Sequence, residues 1–106
     1  MDQSHTGTEA SGISVRHVER EDGGAFYAEE AGTRVGEMTW SRGKDGVAVI
    51  AHTEVDVAER NRGVGRALVA AAVSWARASG TKLAPMCSYA AAVLRRDKGA
   101  RDVLAR

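Results

Sequence analysis

The chain has one cysteine and one proline in 106 residues. A single thiol, Cys87, excludes an internal disulfide framework and a cysteine-rich zinc site. One proline against twelve glycines points to many turns and no Pro-rich disordered tract. An excess of one charge is also lacking: 15 Lys and Arg face 14 Asp and Glu, for a net charge of +1. Such a balance argues against a nucleic-acid or membrane-surface binder working by bulk charge. Nor is there a long apolar run. The least charged stretch, Ala67 to Ala76, is too short and too alanine-rich to span a bilayer. Met1 to Gly12 is polar and has no apolar segment of the signal-peptide kind, so a soluble, cytoplasmic protein is expected.

What remains is a composition that is 43% hydrophobic in a chain of one-domain length. A chain of this size buries about two-thirds of its unfolded surface, enough for one core without staples. Met1 to Gly12, rich in Ser, Thr and Gly, reads as a disordered tail, and residues 13–106 as a single domain. From Ile13 the residues alternate: Ile13, Val15 and His17 against Ser14, Arg16 and Val18, a first strand. Turn signals at Glu21–Gly24, Ala31–Thr33 and Gly43–Gly46 separate three further strands, Ala25–Glu30, Arg34–Arg42 and Val47–Val55. Turns this short make the four strands antiparallel neighbours. Then the period changes. Over Val64–Ser79, Val64, Leu68, Val69, Ala72, Val73, Trp75 and Ala76 fill one side of a helix, and Gly80 suits its left-handed cap. Lys82–Met86 reads as a fifth strand, with short helices at Ser88–Arg96 and Ala100–Ala105. The fold class is α/β, a mixed sheet with a helix packed on it.

The segment joining the fourth strand to the long helix carries the chemistry. Arg60-Asn61-Arg62-Gly63-Val64-Gly65-Arg66 places two glycines and three arginines at a helix N-terminus. Unpaired N–H groups, partial positive charge and backbone open to close approach suit a pyrophosphate. The alternative is a basic helix start that holds only stray anions. A nucleotide-hydrolysing loop needs Gly-Lys-Ser or Gly-Lys-Thr, which is absent. A dinucleotide fingerprint needs a third glycine where Leu68 stands.

The R-x-x-G-x-G pattern after a strand, Arg60 to Gly65, resembles the coenzyme A loop of the GNAT superfamily of N-acetyltransferases. Together with His52-Thr53-Glu54-Val55 and Pro85-Met86-Cys87-Ser88-Tyr89 it is similar to a small, minimal subgroup of that superfamily, over roughly Ile13 to Val103. The resemblance implies a GNAT-like fold and acetyl-coenzyme A as co-substrate, without a metal. It further implies transfer of an acetyl group to an amine on a small molecule or protein. Val55 and Val57 would lend backbone to the pantetheine arm, and Arg60, Asn61, Arg62, Gly63, Val64, Gly65 and Arg66 would cradle the phosphates. Most members of that subgroup have Gly where Asn61 stands, and many carry a His-Pro-Glu-Tyr-like segment where this chain has Asp97-Lys98-Gly99-Ala100.

Three groups are candidates for the transfer itself. Cys87 precedes a helix, which favours a thiolate, and in the subgroup such a cysteine has been proposed as catalytic; it can also serve as a small buried hydrophobe. His52 and Glu54 share one face of the fourth strand, with Thr53 on the other. Either can act as general base, or they can be a core histidine and a solvated carboxylate. Ser88 reads as a helix cap, and Ser88 and Tyr89 can also hydrogen-bond the leaving coenzyme A thiolate. The basic run Arg95, Arg96, Lys98 and Arg101 reads as a solvated face, a contact to the adenosine 3′-phosphate, or a weak surface for an acidic partner. A non-enzymatic acyl-coenzyme A-binding module is the alternative to the enzyme. Oligomeric state has no signature in these residues.

Overall fold

A computed structural model describes residues 5–8, 12–56 and 63–105, the first of these as backbone only. In chain order the elements are β1 (His5–Thr8), β2 (Ile13–Arg20), β3 (Gly23–Glu30), β4 (Thr33–Arg42), β5 (Ala48–Val55), α1 (Val64–Ser79), β6 (Leu83–Pro85) and α2 (Ser88–Arg96). Short 3₁₀ segments cover Lys44–Gly46 and Lys98–Val103. The strands form one sheet in sequence order. Consecutive strands from β1 to β5 are antiparallel, and β6 runs parallel to β5 after the crossover through α1. No helix among the described residues is long and apolar enough to cross a membrane.

The expected alternation is realised in the burial. Ile13, Val15 and His17 of β2, Phe26 and Ala28 of β3, and Gly36, Met38 and Trp40 of β4 all lie on the face covered by α1. The helix presents Val64, Leu68, Val69, Ala72, Val73 and Ala76 to that face and turns Arg66, Ala70, Ser74 and Arg77 to solvent. Each large side chain buried there contributes roughly 1.5–3 kcal/mol. Gly80 ends α1 in a left-handed cap whose N–H reaches the Ala76 carbonyl. His17 is the one buried polar side chain in the core of the described residues. It stacks on Phe26 at 3.9 Å and accepts a 3.0 Å hydrogen bond from Trp40 Nε1–H, with Trp75 edge-on at 4.8 Å. The bond fixes Nε2 of His17 as an acceptor.

Two elements differ from the sequence reading. Part of the segment read as a disordered tail forms β1, in register with β2 through His5↔His17 and Thr8↔Ser14. Four polar residues carry no hydrophobic signal; their pairing comes from the hydrogen-bonding edge that β2 offers. The C-terminal segment is a 3₁₀ helix over Lys98–Val103, starting before the expected Ala100. The Asp97 carboxylate caps it by accepting from Gly99 N–H at 3.0 Å. Arg77 of α1 clasps the same segment, donating to both carboxylate oxygens of Asp102 at 2.9 and 2.8 Å and to the Gly99 carbonyl at 2.7 Å.

Candidate active site

The candidate site lies where β5 and β6 part. Their ladder pairs Ala48 with Leu83, Val49 with Ala84 and Ile50 with Pro85, and ends there. Met86 N–H and Cys87 N–H both reach the Ile50 carbonyl, at 2.9 and 3.1 Å. That fork turns the chain away from the sheet and into α2. Beyond it β5 continues alone on this side through His52, Thr53, Glu54 and Val55, its other edge still paired with β4. An extended edge thus faces the start of a helix across a wedge-shaped gap.

A bulge sets what β5 aims into the gap. Trp40 pairs with Ile50 and Thr39 with His52, so Ala51 is an extra residue. Strict alternation from the buried Ile50 would send His52 and Glu54 into the covered face. The inserted residue reverses the phase. Thr53 now pairs with buried Met38 on the covered side, while His52 and Glu54 project from the open face beside Thr39 and Glu37. As expected, His52 and Glu54 share a face, with His52 Nε2 3.9 Å from Glu54 Oε1. Their side chains are 58% and 73% exposed. His52 is therefore not a core histidine; that part belongs to His17. Val55 sits half-buried opposite Gly36.

Cys87 stands at the apex of the gap, half-buried against the core, as the N-cap residue of α2. Its Sγ donates to Thr53 Oγ1 at 3.5 Å, across the space between the parted strands. Partial burial pushes the thiol pKa up, but the Thr53 hydroxyl and the N–H groups of Ala90 and Tyr89 outweigh it, and the net shift is downward. The Thr53 hydroxyl first, and the N–H groups of the helix start after it, act in the direction of the thiolate. Ser88 is not the cap: it is the first helical residue, exposed, one position inside the cap that Cys87 occupies. Its hydroxyl makes no cap bond because Cys87 holds the extended φ/ψ that a cap requires.

The start of α1 forms the other wall. Gly63 is its N-cap with φ +84°, a backbone state that side chains resist, and the first helical bond runs from Ala67 N–H to Gly63 O. The N–H groups of Val64, Gly65 and Arg66 precede that bond and point out of the helix end. Gly65 does admit a close approach, but what approaches is Tyr89. A Cβ built at Gly65 would stand 2.5 Å from Tyr89 Cζ and 2.7 Å from Cε2. The α2 tyrosine is thereby fitted over the first turn of α1. Below it runs a groove of about 520 Å³, with Arg66 and Val69 of α1 on one wall and Tyr89, Val93 and Arg96 of α2 on the other. Val57, Arg60, Asn61 and Arg62 lie outside the described residues. Thr53 is the residue the sequence reading did not single out. Among the described residues no group of three or more His, Cys, Asp or Glu is placed to hold a metal ion.

Comparison with known families decides what this arrangement belongs to. The model of the GCN5-related N-acetyl-transferase family matches residues 25–103, about three-quarters of the chain. The chain belongs to that family. Its fold agrees with a solved structure from Bacillus anthracis str. Ames, provisionally described as a streptothricin acetyltransferase, in complex with acetyl coenzyme A. The TM-score is 0.55 at 22% identity, over 62% of this chain and 39% of the other. The chain therefore spans well under half of that protein's length. No curated protein matches it. The family is described by N-acetyl transfer, and it is the solved structure, not this chain, that holds acetyl coenzyme A.

Proposed function

We propose that this GCN5-related domain transfers the acetyl group of acetyl-coenzyme A to an amine, with Cys87 as a transient acyl carrier. The observation that carries the reading is the parting of β5 and β6 after Ile50, with Cys87 at its apex. The Thr53–Val55 edge offers backbone groups to the amides of an extended arm. The N–H groups at the start of α1 receive the pyrophosphate, with Arg60, Arg62 and Arg66 supplying charge. The α1–α2 groove takes the nucleotide end between Arg66 and Arg96. A reducing, cytoplasmic setting keeps the one thiol free.

In the first step the Cys87 thiolate attacks the thioester carbonyl. Its Sγ–C bond forms as the C–S bond to coenzyme A breaks, and the departing thiolate takes a proton from Tyr89 or solvent. In the second step the ammonium gives one proton to Glu54, His52 or water, the free amine attacks the acetyl carbon, and its second proton passes to solvent as the tetrahedral intermediate collapses. The Sγ–C bond then breaks, the amide forms and the Cys87 thiolate is restored. Intact-mass analysis after incubation with acetyl-coenzyme A tests this. The wild type should gain one acetyl mass that added amines discharge, and Cys87→Ala should lose adduct and turnover but still bind coenzyme A. Turnover retained by Cys87→Ala removes the covalent route and leaves direct transfer. Binding without turnover on any amine favours the acyl-coenzyme A-binding module, in line with the solvated state of His52 and Glu54.

A further inference from the structure

We propose that Thr53 is a positioning residue for Cys87, delivered into the gap by the bulge at Ala51 and holding the thiol at the apex through its hydroxyl. The proposal rests on Cys87 being the acyl carrier for its catalytic consequence, though not for the geometry itself. Three observations converge. The extra residue at Ala51 reverses the phase of β5, so that Thr53, and not His52 or Glu54, shares the side of the sheet on which Cys87 packs. Thr53 Oγ1 lies 3.5 Å from Cys87 Sγ, so the contact joins β5, beyond the end of its ladder with β6, to the N-cap of α2. Cys87 is itself fixed by two backbone anchors, its N–H on the Ile50 carbonyl and its carbonyl accepting from Ala91 N–H at 3.0 Å, so its Cβ has a defined place and only its χ1 is left to set.

A hydroxyl suits the task because it can reverse. Toward the neutral thiol Thr53 accepts; toward the thiolate the same group rotates about its C–O bond and donates. The contact therefore persists in both protonation states and holds one χ1 rotamer throughout. The β-branched side chain adds stiffness, since Thr has few χ1 choices in a strand. In the transfer step the held rotamer keeps Sγ in the gap, where a thioester lying along the Thr53–Val55 edge presents its carbonyl. A purely structural threonine would need only its shape, which valine reproduces.

The test uses the single thiol of the chain as its own reporter. The rate of Cys87 alkylation by iodoacetamide is measured against pH in the free protein, for wild type, Thr53→Val and Thr53→Ser. Thr53→Val should move the midpoint of the profile to higher pH and slow the reaction at pH 7 about fivefold, the scale of one hydrogen bond to a partly solvated ion. Thr53→Ser should restore the midpoint. A Thr53→Val profile that overlays the wild type overturns the proposal, as does a Thr53→Ser profile displaced as far as that of Thr53→Val. Should Thr53→Val fail to fold, Thr53→Ala makes the same comparison of midpoints, with space in place of a methyl group. Acetyl-adduct formation on the same samples separates the two readings. A displaced midpoint in a protein that never acetylates leaves Thr53 in place and sinks the acyl-carrier route.

Discussion

Gly36 decides how closely α1 seats on the sheet, and its replacement by alanine is a quantitative test of the packing. Gly36 faces α1 from β4 and pairs with Val55 of β5. A Cβ there would stand 2.8 Å from Val64 Cγ1, 3.1 Å from the Glu54 carbonyl oxygen and 3.5 Å from Leu68 Cδ1. None of these atoms is the loose end of a flexible chain. Val64 is β-branched and 1% exposed, Leu68 is fully buried, and the carbonyl is backbone in β5. The first turn of α1 must therefore lift or β5 must shift. Overpacking of this kind costs about 1–3 kcal/mol. Stiffening the unfolded chain by Gly→Ala offsets about 0.4–1 kcal/mol. The net expectation is a loss of about 1–2 kcal/mol, a fall in Tm of roughly 5–10 °C for a domain of this size. Urea unfolding followed by the fluorescence of Trp40, in the core, and Trp75, packed against it, reads it directly. Coenzyme A affinity should fall with it, because the displaced turn carries the N–H groups of Val64 and Gly65. Gly65→Ala is the control. There the new methyl meets the end of the Tyr89 ring, which is 41% exposed and can swing out. A gain in helix propensity of about 1 kcal/mol compensates, and stability should stay within about 1 kcal/mol of wild type. Gly36→Ala as stable as wild type, or less damaging than Gly65→Ala, would refute this account of the packing.

Ala31→Asn should stabilise by about 0.5–1 kcal/mol in the same unfolding assay, because Ala31 holds φ +50° beside Gly32 at +81° and an Asn-Gly pair suits such a turn. His17→Leu should lose about 2 kcal/mol or more despite its apolar replacement, since the buried Trp40 N–H loses its acceptor; unchanged stability would mean that the imidazole serves as filler. The hydrogen bond and charge of Arg77 hold the Asp102 carboxyl below the ordinary carboxylate range. A depressed folded-state pKa gives stability that is present above the unfolded value, about 4, and is lost as pH falls through the folded one. The difference between wild type and Asp102→Asn should accordingly be larger at pH 7 than at pH 2, and a constant difference would place the effect in packing.

Much of the fold was legible because burial imposes its period on residue choice. Ile13, Val15 and His17, then Gly36, Met38 and Trp40, mark one sheet face, and the change to a 3.6-residue period at Val64 marks the crossover. Family membership was legible for a different reason: Gly63 and Gly65 answer backbone demands that few other residues meet. What stayed hidden has no local signature. The bulge at Ala51 lies in an apolar run, Val47–Ala51, where alternation gives no phase to count. The pairing of His5–Thr8 depends on an available edge and not on those four residues. Ser88 is a better cap by residue type than Cys87, yet the two N–H bonds to Ile50 hold Cys87 extended and leave Ser88 to begin the helix. Tyr89 over Gly65 is a contact between residues 24 positions apart, which no spacing rule anticipates.

The bulge also bears on how a thiol and a base can serve one reaction. Thr53 and Cys87 lie on the covered side of the sheet, His52 and Glu54 on the open side, so the strand itself separates them. An acyl group on Cys87 can meet an amine deprotonated by Glu54 only at the gap beyond Ile50, where β6 has turned away and the two sides communicate. Without the inserted Ala51, Glu54 would project into the core beneath α1, where a carboxylate is costly and no acceptor can reach it. One extra residue thus turns Thr53 toward Cys87 while leaving Glu54 and His52 on the solvent-exposed face. Deleting Ala51 should therefore cost far more than the loss of one exposed methyl group: it would exchange the two faces of β5 below Ile50 and remove the thiol contact and the open-face carboxylate together.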